Sequence, residues 1–316
     1  MKTKLQALLL ALLALTGGQA LAEYPDKPIS IIVGYSAGGG TDVMARTVGK
    51  YLEAALGAGS SVVIKNEPGA GGQIGFSHVA NAKPDGYTLG TFNLPAAVAL
   101  TYDRKADYNV NSYTYLANFV DDPNTVVVSA ASPHQTLADF LKAAKAQPGA
   151  YTIGLSSLGG NDHFSAIMLS KAAQAQFNLV PFKGAAQART ALLGGHVKGA
   201  TMALSQITKY KDDIRVLAVL SEQRSPFRPD VPTAKELGYD IQMSSLRGLV
   251  APKGLPQPVF QRLTQALEKV NANPEFQALM AKQGNPMAYM SSEAYARTAI
   301  QQSAVAKGIW EATPWK

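Results

Sequence analysis

Short apolar segments alternate with helical segments along most of this sequence. The apolar run Ile29–Val33 leads through a glycine-rich turn into a helical pattern from about Asp42 to Leu56, and another apolar run starts at Val62. The same order returns after Thr125. Alternation of strand and helix predicts an α/β protein, with a parallel sheet that carries helices on its faces.

Two glycine-rich turns of similar sequence occur in this pattern. The first glycine turn (residues 34–42, GYSAGGGTD) follows the first strand, and the second glycine turn (residues 154–162, GLSSLGGND) follows a later strand. Each turn opens a helix, whose first N–H groups and partial positive charge favour an anion. In open parallel sheets the crevice beyond the strand ends is where ligands bind. We therefore predict that the two turns hold one anion between them.

Three known sequence motifs share features with the same turns. A phosphate-binding loop would need lysine where Gly40 and Gly160 stand, and a dinucleotide fingerprint would need glycine at Val43. The first turn does contain the Gly-x-Ser-x-Gly pattern of a hydrolase nucleophile elbow, so a secreted serine hydrolase using Ser36 is the alternative function. Only one strand precedes this elbow and no histidine follows His196, although an earlier histidine could still serve.

The composition of the chain argues against several classes of function. The chain has no cysteine and only four histidines, none in an HExxH pattern, so we expect neither a metal site nor a cofactor. Its basic residues are scattered rather than clustered, which argues against a nucleic-acid partner. The two tryptophans, Trp310 and Trp315, stand at the C-terminal tail, far from the glycine turns, which disfavours a carbohydrate-binding module.

Residues 1–22 have the pattern of a cleaved secretory signal peptide. Lys2 and Lys4 precede an apolar run from Leu5 to Leu15, and Ala20-Leu21-Ala22 supplies a cleavage site. The apolar run is shorter than the roughly 20 residues that cross a bilayer. The sequence therefore predicts export of a mature protein that begins at Glu23.

A series of further motifs resembles the Bug family, the periplasmic solute-binding proteins of tripartite tricarboxylate transporters. The motifs appear in order along the mature chain. They are Tyr24–Ile29, Gly38–Asp42, Asn66–Gly72, Lys83–Leu89, Pro181–Gly184, Leu192–Val197, Arg224–Pro226, Val231–Thr233 and Gly248–Pro252.

The resemblance implies a two-domain periplasmic binding protein (Venus flytrap) fold with two crossing hinge strands. Domain 1 would comprise residues 23–124 and 246–316, and domain 2 residues 125–245. The protein would be a periplasmic monomer that captures a small carboxylate and delivers it to membrane permease subunits of a tripartite tricarboxylate transporter. Binding would be by hinge closure and not by bond chemistry, so no enzyme activity is expected.

The resemblance also implies ligand contacts from one loop of each domain, mostly through backbone N–H groups and water. The second loop departs from the family at Asn161 and Asp162, and the resemblance extends the site to a few strand ends. His163 stands where it could cap the helix or donate to the anion. The predicted ligand-binding residues are Tyr35, Ser36, Ala37, Gly38, Gly39, Thr41, Asp42, Asn93, Ser157, Leu158, Gly159, Gly160, Asn161, His163, Phe182, Lys183 and Gly184.

Overall fold

The computed structural model describes residues 24–182 and 184–315, so the predicted signal peptide lies outside it. Within these residues the strands are β1 (Ile29–Val33), β2 (Val62–Asn66), β3 (Thr88–Leu94), β4 (Tyr113–Ser129), β5 (Tyr151–Leu155), β6 (Phe177–Pro181), β7 (Gly199–Ala203), β8 (Ile214–Val219), β9 (Ser244–Pro252) and β10 (Met287–Ser291). The α-helices are α1 (Gly40–Leu56), α2 (Gln73–Asn81), α3 (Ala96–Asp103), α4 (Leu137–Ala146), α5 (Asn161–Ala173), α6 (Ala185–Leu193), α7 (Gln257–Ala272), α8 (Pro274–Lys282) and α9 (Ser292–Ala312). None of these helices is long and apolar enough to cross a membrane.

The strands form two parallel triplets joined by antiparallel strands. One triplet has the order β2-β1-β3 and the other β6-β5-β7. Between them lie β9, antiparallel to β3, and β4, antiparallel to both β9 and β7. The predicted parallel sheet is therefore present twice, once on each side of the β4–β9 pair.

Strand β4 crosses from one half of the molecule to the other. Its first part pairs with β9 and β10, and its second part, from Asn124, pairs with β7 and β8. The chain returns beside it, since the Asn124 N–H donates to the Met243 carbonyl at 2.8 Å. The sequence pattern predicts a strand only over Thr125–Ser129, and residues Asp121-Asp122-Pro123 before it are of types that are usually found in turns. Here the strand continues through these residues while it changes partners.

We call the two halves the first and second lobes. The first lobe contains β1–β3, β9, β10 and the first part of β4, with α1–α3 and α7–α9; the second contains the rest. One apolar cluster, including Ile31 and Leu267, lies under α1, α7 and α8, and another, including Leu192 and Met202, lies under α6. The largest cluster runs through both lobes, from Phe92 to Phe164. The lobes therefore share part of their core.

Helix ends follow local sequence. At α4, Thr136 Oγ1 accepts from the Asp139 N–H and the Asp139 carboxylate accepts from the Thr136 N–H, both at 3.1 Å. At α8, Asn273 Oδ1 accepts the N–H groups of Glu275 and Phe276. Each cap satisfies N–H groups that a helix cannot pair internally.

Candidate ligand-binding site

The two glycine turns occupy equivalent places in the two lobes. The first connects β1, the central strand of its parallel triplet, to α1, and the second connects β5, the central strand of the other triplet, to α5. The carboxyl end of a central strand in such a sheet is where ligands bind. The structure thus places both predicted loops at the same kind of position.

Both turns end in a helix that begins without a side-chain cap. The N-cap residues are Gly39 for α1 and Gly160 for α5, each with extended backbone and no cap hydrogen bond. Thr136, Asn273 and Ser291 cap α4, α8 and α9, whereas α2, α3, α6 and α7 also begin without a side-chain cap. What distinguishes α1 and α5 is their position directly after the two central strands. Among the described residues, the first N–H groups of α1 and α5 therefore have no capping side chain, which suits them to an anion.

Hydrogen bonds to the Asp42 carboxylate hold the first glycine turn in place. This carboxylate accepts from the Gly38 N–H at 2.8 Å, from Arg46 Nε at 3.0 Å and from Asn66 Nδ2 at 2.9 Å. Burial alone would raise the pKa of Asp42, but these hydrogen bonds outweigh it and the pKa is lowered. The Gly38 amide and the Asp42 side chain thus shape the turn, while Ser36, Ala37 and Gly39 are exposed.

The second glycine turn is held in a similar way by Asp162. Its carboxylate accepts from the Ser156 N–H at 3.1 Å, from Asn161 Nδ2 at 3.0 Å and from Asn124 Nδ2 at 3.2 Å. Asp162 is almost completely buried, and this burial raises its pKa. Asn161 also donates to Asn124 on β4, so its amide links the turn to the crossing strand.

His163 supports the second turn as a neutral acceptor. Its Nδ1 accepts the Gly159 N–H at 3.1 Å, which places the ring proton on Nε2. Burial lowers the pKa of His163 to about 4, and the charge of Asp103 offsets only part of this effect. The imidazole is therefore neutral near pH 7 and does not provide a cation for the ligand.

Trp315 lies against the second turn, and the prediction that both tryptophans are far from the turns is wrong for this residue. A Cβ added to Gly159 would lie 3.3 Å from Trp315 Nε1. The indole packs edge-on against His163 and Phe164, with ring centroids 5.4 and 5.3 Å away. Sequence separation hid this contact, because Trp315 follows α9 in the chain but lies beside the second turn and the end of α3.

Arg247, a residue that the sequence analysis missed, lies at the crossing strands below the first turn. It stands on β9, is 2% exposed and forms an ion pair with Asp122 of β4, Nη2 to Oδ2, at 2.5 Å. A Cβ added to Gly40 would lie 2.8 Å from its Nη1. Asp122 also accepts the Ser205 N–H from the second lobe. The sequence did contain one indication of a buried, paired residue here, namely an arginine within the apolar strand pattern Leu246–Val250.

Asn93 and Thr41 connect the first turn to the same place. Asn93 Nδ2 donates to Thr41 Oγ1 at 2.8 Å, and Asn93 pairs with Arg247 in the β3–β9 register. Asn93 Oδ1 is buried and has no partner among the described residues. Tyr35 packs edge-on against Phe76, and burial raises its pKa. These residues therefore extend from the first turn toward the crossing strands.

The remaining predicted residues border the second turn to different degrees. The Gly184 N–H donates to the Ser156 carbonyl at 2.9 Å, which places the segment before α6 beside the turn. Ser157 and Leu158 are half-buried, and Leu158 packs on the largest apolar cluster. Phe182 packs on the cluster under α6, and Lys183 lies outside the described residues.

No nucleophile–base pair forms at Ser36 within the described part of the chain. His78 pairs with Glu67, and His134 contacts the Tyr151 hydroxyl. His163, as described, accepts from Gly159. No histidine hydrogen-bonds to Ser36 there, although a serine nucleophile needs an adjacent base.

Comparisons with known proteins agree on one family. The family model described as "Tripartite tricarboxylate transporter family receptor" matches residues 44–313. The chain is 35% identical over 303 residues to the UPF0065 protein in the gbd 5' region of Cupriavidus necator, covering 95% of this chain and 91% of that protein. It is 32% identical over 271 residues to protein BugT of Bordetella pertussis, covering 84% and 82%.

Solved structures of the same architecture cover almost the whole chain. A TctC solute-binding protein from Polaromonas is 31% identical, with a TM-score of 0.75 over 91% of this chain and 99% of that one. MatC from Rhodopseudomonas palustris with bound malate has 23% identity and a TM-score of 0.80, over 90% and 99% of the two chains. R. palustris Rpa4515 with adipate has 24% identity and a TM-score of 0.82, over 92% and 98%. The expected two-domain α/β fold with crossing strands is confirmed.

Proposed function

We propose that this chain, which belongs to the tripartite tricarboxylate transporter receptor family, captures a small carboxylate between its two glycine turns and delivers it to a membrane permease. Proteins of this type, such as the periplasmic binding protein BugD, are solute-binding proteins and not enzymes. The serine-hydrolase alternative is therefore rejected. The predicted export of residues after Ala22 agrees with a periplasmic location.

One observation carries the proposal: each lobe presents an uncapped helix N-terminus beside the crossing strands. The α1 end approaches Arg247 through Gly40, and the α5 end reaches β4 through Asn161 and Asn124. An anion between them would receive N–H groups from both lobes. A ligand that contacts both lobes favours their closed arrangement, because its affinity for that arrangement is higher.

The ligand class we propose is a small carboxylate, with dicarboxylates first. MatC and Rpa4515 were solved with malate and adipate, two dicarboxylates of different length. Backbone N–H groups recognise a carboxylate but do not specify the rest of the molecule. This form of recognition fits two proteins of the same fold that hold acids of different length.

We further propose how the chain divides and moves. Residues 23–124 and 246–316 would form domain 1, and residues 125–245 domain 2. The hinge would consist of β4 near Asp122 and the segment that enters β9, where Asn124 pairs with Met243. The closed monomer would be the form that the permease subunits recognise.

A thermal-shift screen of carboxylic acids tests the binding function. Malate, adipate, aspartate and citrate form the first panel. An acid at a hundredfold excess over its Kd stabilises the protein by about 2.7 kcal/mol, which raises the Tm by several degrees. No stabilisation by any carboxylate, at concentrations up to tens of millimolar, would contradict the proposal.

A matched pair of variants locates the site. At Gly39 an added Cβ meets only the Ser36 carbonyl oxygen, at 3.5 Å, so Gly39→Val should fold normally while its side chain projects from the first turn. Gly308→Val adds the same side chain on α9, where the Cβ meets nothing within 4 Å. We expect calorimetric titration with the best acid to show binding lost in Gly39→Val and retained in Gly308→Val. Equal affinities in the two variants would place the ligand elsewhere.

A further inference from the structure

Trp315 connects the two lobes beside the second glycine turn. We propose that Trp315 is a positioning residue that fixes this turn and fastens it to α3 of the first lobe. The inference rests on the proposed function only in treating the second turn as a binding turn. The contacts on which the inference rests form within the folded chain and involve no ligand.

On the first-lobe side, the indole is held by Asp103 at the end of α3. Trp315 Nε1 donates to Asp103 Oδ2 at 3.2 Å. Asp103 is itself fixed, because Arg104 donates to both of its carboxylate oxygens at 2.7 Å. Trp310, on the last turns of α9, packs against the indole with ring centroids 4.8 Å apart. The Asp103 carboxylate is therefore held in position to accept the indole N–H.

On the second-lobe side, the same indole packs against α5 and the turn that precedes it. Its neighbours are the His163 and Phe164 rings and the backbone of Gly159. The indole is only 6% exposed, so these contacts enclose it. In the part of the chain that the structure describes, no such cover lies over the first turn, where residues 36–39 are exposed.

These contacts form a path from the first lobe to one backbone amide of the second turn. Asp103 orients the indole, the indole packs against the His163 ring, and His163 Nδ1 accepts the Gly159 N–H. Gly159 has a φ of +73°, a conformation that glycine adopts without strain and that leaves the turn dependent on its neighbours for rigidity. Without the indole, the His163 ring would lose a packing partner. The Gly159 N–H would then no longer have a fixed acceptor.

Hydrogen exchange followed by mass spectrometry tests this role on the full mature chain without any ligand. We expect amides of residues 156–164 to exchange about tenfold faster in Trp315→Ala, with Trp315→Phe intermediate because it keeps a ring but loses the N–H donor. Trp310→Phe is the matched control, since it keeps an aromatic ring against the indole, and among the described residues Trp310 forms a ring pair with Trp315 but with no ring of the second lobe. Exchange of residues 156–164 in this control should stay at the wild-type rate.

A second comparison separates positioning from general stability. Asp103→Ala should accelerate the same amides in the wild-type background and add little in the Trp315→Phe background, because both changes remove the same hydrogen bond. Unchanged exchange of residues 156–164 in Trp315→Phe and Trp315→Ala would overturn the proposal. So would acceleration spread evenly over both lobes, which would make Trp315 an ordinary core residue. Because no carboxylate is present, a failure of the proposed binding function would not affect either result.

Discussion

The buried His163 makes the stability of this protein depend on pH in a definite window. An unfolded histidine titrates near 6.5, whereas burial lowers the pKa of His163 in the folded protein to about 4. Between these values the unfolded chain binds a proton that the folded chain does not. The free energy of unfolding must therefore rise with pH from about 4 to 6.5 and change little beyond either limit through this group.

The size of the effect follows from the same two values. A pKa difference from 6.5 to about 4 corresponds to roughly 3 kcal/mol, and the side chain is only 4% exposed, so solvent screens it little. The hydrogen bond and the ring packing of His163 explain why its protonation is unfavourable in the folded protein. Protonation of Nδ1 would place a donor against the Gly159 N–H, a second donor, and would bring a charge into the ring cluster around Trp315.

Urea unfolding between pH 4 and 7.5 measures this effect, with His163→Asn as the control. Asn does not titrate, and its Oδ1 can accept the Gly159 N–H in place of Nδ1. Carboxylates such as Asp42 and Asp162 titrate in both proteins and cancel in the difference. We expect the wild type to lose roughly 3 kcal/mol more than the variant on going from pH 6.5 to 4. Parallel curves would refute the argument that the ring is buried, neutral and an acceptor.

Two further predictions concern the ion pair at the crossing strands. Arg247→Met leaves Asp122 buried without its partner and should lower the free energy of unfolding in urea by about 3–5 kcal/mol. Adding Asp122→Asn should recover part of this loss. Equal stability of the single and double variants would contradict the prediction. Gly40→Ala should destabilise the protein by about 1–2 kcal/mol although alanine favours helices, because its Cβ would meet the fixed Arg247 guanidinium at 2.8 Å. The same change in the Arg247→Met background should cost nothing, and a loss that persists there would disprove the clash.

Local features of the site could be predicted from the sequence because neighbouring residues encode them. The two glycine turns and the helices after them follow from residues within a few positions of one another. The Gly38–Asp42 and Gly159–His163 hydrogen bonds each join residues four positions apart. Such contacts depend on turn geometry, which glycine and the first helical turn largely determine.

The contacts that the sequence could not reveal join distant parts of the chain. Arg247 meets Asp122 across 125 positions, and Trp315 meets Asp103 across 212. Both depend on how the lobes pack, and no period or spacing in the sequence records that packing. Arg247 was the easier of the two to suspect, since an arginine in an apolar strand needs a buried partner. Trp315 gave no comparable indication.

The two glycine turns are alike in sequence but are held to different extents, and this difference bears on how binding would proceed. Asp42 and Asp162 fix one end of each turn through a backbone N–H. Among residues 24–182 and 184–315, side chains cover only the second turn, through Trp315 and His163, and its Gly159 and Gly160 are buried while residues 36–39 are exposed. Ordering a flexible loop opposes binding, so a turn that is already rigid contributes more net affinity per contact. We therefore expect the second turn to keep its shape in the free protein, and the first turn to adjust to the ligand as the lobes close.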